Sequence, residues 1–449
     1  MELLWTDICF LVMLTTALIL LVISLRKAPT RLAFRRLLNQ PLAASSGVIL
    51  LFFLIVGVLD SLHFKAYTFE KNNDAAVNGS LSVLDKLMTP LGQMYEKTYS
   101  APLALKLYST EIVMAEGEAR QIYPRLKYPQ AAIKNEADKQ TLIRQVLLKS
   151  LLTSFIIVSV GGLFIVGARR LILKKKYRVS KAGLSAAVTV FLCLFFLLAS
   201  YWLSRHLHLL GTGKIGQDIF YYTVKSIRTG LIIGTLTTLF MLPLAIILGI
   251  SAGYFGGFID DVIQYIYTTL SSIPGVLLIT ASVLSMQTYI ANHPEKFSTL
   301  DKSADARLLA LCLILGVTSW TGLCRLLRAE ALKLREIDFV LAARALGSTS
   351  FRIFYKHLLP NVMPIILITL VLDFSFLVLA EAVLSYVGVG VSPMTISWGN
   401  MINGARLELA REPIVWWPMF AAFILMFILV LASNIFADEV RDVFDPRQA

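Results

Sequence analysis

The chain alternates between long apolar runs and shorter polar segments, and this alternation predicts its architecture. Nine runs are apolar over about 18 residues or more, which is the length an α-helix needs to cross a bilayer. They cover residues 1–25, 44–62, 147–168, 183–203, 229–252, 262–285, 307–324, 361–386 and 414–436. The pattern therefore predicts an all-α polytopic membrane protein with about nine transmembrane helices.

Composition and charge support a membrane protein over a soluble one. Hydrophobic residues make up 57% of the 449 and charged residues only 16%, whereas soluble domains carry about 25% charged residues. The net charge of +13 would suggest nucleic-acid binding in another context. Here the basic residues stand beside apolar runs, which is the pattern that orients membrane proteins. The four cysteines lie in or at the ends of apolar runs without metal-site spacing, so we interpret them as core residues.

Two basic loops predict the topology. Residues 26–36 and 169–181 carry several Lys and Arg and no acid. Because cytosolic loops are enriched in Lys and Arg, the N-terminus is expected outside and the C-terminus in the cytosol. A lipid-binding polybasic patch at 169–181 is an alternative that is compatible with this orientation.

The longest polar stretch, residues 63–146, is expected outside the membrane as a small, mostly helical domain without catalytic features. The predicted N-terminal extension thus has three parts: two spans (1–62), this outer segment (63–146), and a third span with its basic loop (147–182). Residues 183–449 then contain the last six spans.

The segment 325–360 is charged, helix-prone and placed between two spans. Asp338 to Leu346 is rich in good helix formers, and Gly347 follows where a left-handed cap is easiest. Ser348 to Ser350 offer N-caps for a second helix, and Pro360 is expected to interrupt it at the membrane entry. The pattern predicts two short helices with a sharp turn, a shape suited to docking a cytosolic partner. An amphipathic hairpin on the inner leaflet is the alternative.

The spacing of Ala342-Ala343, Gly347 and Leu359-Pro360 resembles the EAA loop of ABC-importer permeases, and EIDFVLAARALGSTSFRIFYKHLLPN resembles their dipeptide/oligopeptide/nickel branch. HLLGTGKIGQDIF (208–220), SWGNMI (397–402) and the tail are similar to further elements of this branch. Leu341 and His357 depart from the general motif, which has Glu and Ile there. The resemblance implies a type I permease core in residues 183–449. It also implies an ATPase-coupling loop with the following residues: Asp338, Ala342, Ala343, Arg344, Gly347, His357, Leu359 and Pro360.

Two acids in the span 361–386, Asp373 and Glu381, are candidates for the translocation path, because a carboxylate at membrane depth is costly. Asp373 is deeper and suits a cationic substrate group. An interhelical hydrogen bond or salt bridge is the alternative for both residues.

No Walker A sequence, metal-ligand cluster or nucleophile–base pairing stands out, so a transport subunit without cofactor is expected rather than an enzyme. The resemblance implies a bacterial inner-membrane permease of an ATP-driven importer for peptides. Its implied partners are a second permease, two ATP-binding subunits and an extracytoplasmic substrate-binding protein. Two rivals stay open: a proton-driven transporter using Asp373 and Glu381, and a non-transporting scaffold or sensor using 63–146. The substrate, whether peptide, nickel chelate or antimicrobial peptide, is not fixed by these residues.

Overall fold

The structure is a computed structural model that describes residues 4–26, 28–69, 76–89, 91–92, 95–115, 118–128, 133, 135–173, 180–295, 297 and 299–444. Its fifteen α-helices within these ranges are α1 Trp5–Leu25, α2 Ala28–Asn39, α3 Pro41–Ser61, α4 Val83–Leu87, α5 Glu136–Leu173, α6 Lys181–Ser204, α7 Ile219–Phe255, α8 Gly257–Ser272, α9 Gly275–Asn292, α10 Leu300–Leu334, α11 Asp338–Ala345, α12 Ser350–Ile353, α13 Leu359–Val387, α14 Trp398–Arg406 and α15 Trp417–Phe444. The four strands are β1 His63–Phe69, β2 Ala76–Ser82, β3 Glu111–Ala115 and β4 Glu118–Ile122.

Nine stretches of the described chain are long and apolar enough to cross a membrane, and this number was predicted from the hydropathy pattern. The predicted span 262–285 is not one helix, because the chain breaks between α8 and α9, and the candidate span there is Gly275–Asn292. They lie in α1, α3, α5, α6, α7, α9, α10, the continuous stretch Ser350–Val387, and α15. The last six, from α6 onward, lie in the part of the chain that resembles a permease. The predicted fold class is therefore confirmed. The basic run at 174–178 and the tail from 445 lie outside the described residues.

The chain forms two compact units, which we describe separately. One contains Arg35–Thr229 and Ile396–Ala432, and the other contains Leu4–Phe34, Gly230–Thr395 and Ser433–Ala449. The division at residues 62, 146 and 182 that the sequence suggests stays a prediction.

In the first unit, α6 packs against both α3 and α5. The segment after α3 is not mostly helical, so that expectation was wrong. It contains two antiparallel hairpins, β1–β2 and β3–β4, and the short helix α4. The strand β1 is rich in aromatic and β-branched residues, which favour pairing over helix formation.

A buried histidine ties residues 95–128 to the loop before α7. The Nδ1 atom of His208 lies 2.5 Å from Oδ2 of Asp218, and its Nε2 atom lies 3.8 Å from Oε1 of Glu96. Glu96 also accepts hydrogen bonds from the backbone N–H groups of Lys127 and Tyr128. Burial opposes protonation, but the hydrogen bonds and charges of Asp218 and Glu96 outweigh it and raise the pKa of His208 to about 9.

A second polar contact lies at the start of α7. The Nζ atom of Lys225 is 2.6 Å from Oδ1 of Asp85 and 3.9 Å from Oδ1 of Asp60. The hydroxyl of Tyr221 donates to the same Asp85 oxygen at 2.6 Å. Both carboxylates precede residue 183, so residues of the predicted extension neutralise a cation of α7.

In the second unit, α1 packs against α10. The α1 N-terminus has no side-chain cap of its own. Instead, Asp305 of α10 accepts the backbone N–H of Thr6 at 3.2 Å and also the Thr6 hydroxyl. Since the first N–H groups of a helix lack intrahelical partners, this contact stabilises the junction of α1 with α10.

Candidate functional site

The end of α10 that leads into the 325–360 segment is held closely by α7 and α8. A Cβ atom added to Gly249 would lie 2.8 Å from the Cys324 carbonyl oxygen, and one on Gly253 would lie 2.5 Å from that of Arg328. Small residues allow such close backbone approach between membrane helices. Asp260 at the start of α8 accepts two hydrogen bonds from Arg328, at 2.5 and 2.7 Å. These bonds lower the pKa of the Asp260 carboxyl below its usual value.

The helix α11 is anchored by two residues on one side. Val340 and Ala343 are buried in an apolar cluster that also contains Leu334 of α10 and Ile353 and Leu358 from the following turn. The spacing of three residues places both on one helical face. The other predicted residues of α11, Asp338, Ala342 and Arg344, are exposed.

The turn after α11 is the predicted left-handed cap. Gly347 has φ +76°. Its N–H donates to the carbonyl of Arg344 at 3.0 Å, and the N–H of Ser348 donates to that of Ala343 at 3.0 Å. This pair of bonds is the Schellman motif, which ends a helix at a residue that tolerates positive φ.

The second half of the segment differs from the prediction at Pro360. Pro360 was expected to interrupt the second helix. The helix Ser350–Val387 is instead continuous, with a π-helical turn at Phe354–Leu358. Pro360 is the second residue of α13, directly after this π-helical turn, so the chain stays helical although proline donates no backbone hydrogen bond there. His357 and Leu359 are half-buried, and the rings of His357 and Phe339 lie 6.1 Å apart.

Opposite the buried cluster, the segment exposes a group of large apolar side chains. We call this group the α11 surface. It consists of Phe339, Leu341, Leu346, Phe351 and Tyr355. Leu346 is 85% exposed and Phe351 is 80% exposed. Three exposed basic residues, Arg344, Arg352 and Lys356, accompany it. Leu341, which stands where the general motif has Glu, is one of its members.

The two path candidates have different surroundings. Glu381 is buried, and its Oε1 atom accepts a hydrogen bond from the Ser385 hydroxyl at 2.7 Å. Asp373 is partly buried, and the described residues give its carboxylate no hydrogen bond or ion pair. Its neighbour Phe374 packs against Gly234 of α7.

The depth of Asp373 follows from the helix contacts. Gly316 of α10 lies midway between Arg307 and Arg325, which flank the apolar part of that helix. Phe240 of α7 contacts Gly316, and Gly234 lies six residues earlier, which is roughly 9 Å along a helix. Asp373 therefore lies well inside the apolar layer.

The SWGNMI element is held in the fold by its serine and its tryptophan. Ser397 caps α14, and Trp398 is buried with its Nε1 donating to the Thr223 carbonyl at 3.0 Å. Trp417 is buried in the same way, with its Nε1 bonded to the Thr212 carbonyl at 3.0 Å. These indoles hold α14 and α15 in the first unit, so neither is a free contact for a partner.

Comparison with known proteins agrees with this architecture. Residues 245–449 match the family described as the inner membrane component of binding-protein-dependent transport systems. The oligopeptide transport system permease protein OppC of Mycobacterium bovis (strain ATCC BAA-935 / AF2122/97) is 32% identical over 239 residues, covering 53% of this chain and 76% of that protein. The chain therefore belongs to the family of inner-membrane permeases of binding-protein-dependent ABC importers.

Within that family it is a permease of the DppC/OppC type. The dipeptide transport system permease protein DppC of Lactococcus lactis subsp. cremoris (strain MG1363) is 32% identical over 240 residues, 54% of this chain and 64% of that protein. The OppC protein of Bacillus subtilis (strain 168) is 29% identical over 240 residues, 54% of this chain and 72% of that protein. The matched part thus spans less than two thirds of the Lactococcus protein. These relatives are transport subunits, and the chain is a multi-pass inner-membrane protein.

Proposed function

We propose that this chain forms the translocation path of an ATP-driven peptide importer and that the α11 surface docks a separate ATPase subunit. The observation that carries the proposal is the α11 surface itself. Large apolar side chains are exposed on α11 and on the turn and helix that follow it, and the position of α11 is fixed by Val340, Ala343 and the Gly347 cap. Contiguous exposed apolar side chains of this kind mark interaction sites.

The α11 surface also has the composition of a protein interface. Aromatic residues and Arg are enriched in interfaces, and Phe339, Phe351 and Arg344 supply them here. Leu341 replaces the carboxylate of the general motif, so the ATPase is expected to contact it through apolar atoms. The basic residues at Arg352 and Lys356 favour acidic residues on the rim of the partner.

The remaining partners follow from the family. A second permease, two ATP-binding subunits and an extracytoplasmic substrate-binding protein complete the importer. The N-terminus lies outside and the C-terminus in the cytosol in this arrangement, which places α11 on the side of the ATPase. Residues 1–182 are an extension of the permease core.

Of the two path candidates, Asp373 is favoured. It lies well inside the apolar layer without a described partner, so a cationic group of the substrate would meet an available carboxylate. Glu381 already accepts a hydrogen bond from Ser385, which favours a packing role.

The test is co-purification of the full chain from membranes that contain its neighbouring transport subunits. Leu346→Asp and Phe351→Asp each place a charge on the α11 surface without touching the buried cluster. Leu300→Asp is the matched control, because Leu300 is 76% exposed at the opposite end of α10. Bound subunits are identified by mass spectrometry, and ATP hydrolysis is measured on the purified material.

We expect the wild type and Leu300→Asp to retain ATPase subunits, and both α11 variants to lose them. Retention of ATPase by both α11 variants would refute the dock. If the variants instead detach this segment from lipid vesicles while keeping the ATPase, the segment is an amphipathic hairpin on the leaflet. Purification of the wild type alone in mild detergent would refute the importer assignment.

A further inference from the structure

The boundary between α8 and α9 is a break in a helix rather than a bend. α8 ends at Ser272, Ile273 is extended with ψ 131°, and α9 begins at Gly275 after Pro274. Pro274 causes the break, because it has no N–H to donate and disfavours helical geometry at the preceding residue.

The break leaves backbone acceptors without partners. Among the described residues, no backbone N–H donates to the carbonyl oxygens of Ser271, Ser272 or Ile273. Residues 271 to 275 are all exposed. A Cβ atom added to Gly275 would have nothing within 4 Å.

The contacts of α8 with α10 give the depth of the break. Asp260 near the start of α8 binds Arg328, and the Tyr267 ring lies 5.7 Å from the Arg325 guanidinium. From Asp260 to Tyr267, α8 therefore runs toward the Leu300 end of α10, and Arg325 marks the edge of the apolar part of α10. Ile273 lies six residues beyond Tyr267, roughly 9 Å further along the chain at helical rise. The break is thus inside the apolar layer.

Irregular backbone cannot face lipid at this depth. Each unsatisfied carbonyl in hydrocarbon costs several kcal/mol, so such backbone occurs only where it lines a water-filled cavity or is covered by protein. We propose that the α8–α9 break lines the translocation path and binds N–H groups of a peptide in transit, its N-terminal ammonium above all. This inference rests on the proposed function of the chain as a peptide permease.

The oxygen atoms at the α8–α9 break suit a ligand that donates hydrogen bonds. The Thr269 hydroxyl donates to the Tyr265 carbonyl at 2.8 Å, and the Ser272 hydroxyl donates to the Thr269 carbonyl at 2.7 Å. Their hydrogens are used, so both hydroxyls present lone pairs, as do the three carbonyl groups. The C-terminal end of α8 adds the negative end of its helix dipole, which favours a cation.

The acceptors are backbone and hydroxyl groups, without a charged side chain among residues 268–275. Such a site contacts the part of a peptide that every sequence shares, its amide and ammonium groups. It therefore permits transport of peptides with different side chains. In other transporter architectures, the free carbonyl groups of broken transmembrane helices coordinate cations.

Pro274→Ala is the decisive variant, because alanine restores an N–H at the break and favours a continuous helix. Pro243→Ala is the matched control, since Pro243 lies inside α7, where the helix continues through it. Both are assayed in the assembled transporter in proteoliposomes, with radiolabelled alanyl-alanine and its N-acetylated form as probes. ATPase co-purification is measured on the same preparations.

We expect Pro274→Ala to lower uptake of alanyl-alanine by about tenfold, comparable to the loss of a hydrogen bond to a charged group. Pro243→Ala should transport like the wild type, and both should keep their ATPase subunits. The wild type should take up the N-acetylated probe poorly. Uptake of this probe should therefore differ less between Pro274→Ala and Pro243→Ala than uptake of alanyl-alanine does. Uptake by Pro274→Ala at the wild-type rate would overturn the inference while leaving the importer assignment intact. Absence of uptake and of ATPase in the wild type would instead refute the proposed function.

Access of water to the α8–α9 break distinguishes a break that lines the translocation path from one that is covered by lipid or by the second permease. Ser272→Cys, in a chain whose four cysteines are replaced by alanine, should react with a charged, water-soluble thiol reagent, and alanyl-alanine should slow the reaction. Leu163→Cys is the lipid-facing control, because Leu163 is 74% exposed on α5. Labelling of neither cysteine in the assembled transporter would mean that lipid or the second permease covers the break, and would overturn the inference.

Discussion

Replacement of Gly253 by alanine should destabilise the permease, although alanine is the better helix former. Gly253 lies in α7 where this helix contacts α10. An added Cβ atom would be 2.5 Å from the Arg328 carbonyl oxygen, 2.6 Å from Cβ of Ala331 and 2.9 Å from the backbone nitrogen of Leu332. Two of these neighbours are backbone atoms and the third is a Cβ, so none can move without shifting α10.

Overpacking of this kind costs about 1–3 kcal/mol, and the helix preference of alanine over glycine returns up to about 1 kcal/mol. Because three contacts fall at or below 2.9 Å, we expect the upper part of the range and a net loss of about 1–2 kcal/mol. Gly322→Ala in α10 is the matched control, since a Cβ atom there meets nothing within 4 Å. It should gain about 0.5–1 kcal/mol from helix preference alone.

The assay is thermal unfolding of both variants in the same detergent at one scan rate, with tryptophan fluorescence as the readout. Gly253→Ala should unfold below the wild type and Gly322→Ala at or above it. Gly253→Val, with a larger side chain at the same contact, should unfold lower still. If Gly253→Ala proves as stable as Gly322→Ala, the close approach of α7 and α10 at this point is wrong.

Three further results are expected. Leu346→Ala should weaken ATPase binding by about 30-fold, since burying three carbon atoms is worth about 2 kcal/mol, and should leave the unfolding temperature unchanged; equal affinity would exclude Leu346 from the dock. Arg328→Met and Asp260→Asn should show a coupling of about 0.5–3 kcal/mol in a double-mutant cycle of unfolding, and additive effects would contradict the ion pair. The pKa of His208 is raised to about 9 in the fold, so its contribution is complete below the unfolded pKa of about 6.5 and is lost as pH rises toward 9. The unfolding temperature should fall over this range, and His208→Asn should remove that slope.

Several local features followed from the sequence because their causes lie within a few residues. Gly347 ends α11 since glycine tolerates positive φ, and the two bonds that close the cap join neighbours in the chain. The break at Pro274 also has a local cause, because proline donates no backbone N–H and disfavours helical geometry in the residue before it.

Features that depend on distant partners could not be read in this way. The ion pair of Asp260 could not be predicted, because its partner Arg328 is 68 residues away in the chain. The hairpins after α3 were missed because a mixed polar segment of low periodicity fits a short helix as well as a short strand. The burial of Trp398 could not be predicted either, because its indole N–H donates to the Thr223 carbonyl of another helix.

The extension is the largest feature that the family comparison leaves unexplained, and the buried charges suggest its role. Lys225 and His208 belong to the permease-like part of the chain, yet residues of the extension supply counter-charges to both. The Nζ atom of Lys225 is 2.6 Å from Asp85, and Glu96 lies 3.8 Å from the His208 imidazole. Removal of one partner of a buried ion pair costs about 3–5 kcal/mol, and the cost is smaller at Lys225, whose side chain is 18% exposed. Removal of residues 1–182 would therefore leave Lys225 without these carboxylates, and we expect a chain cut at the predicted boundary of residue 182 to be less stable than the full chain.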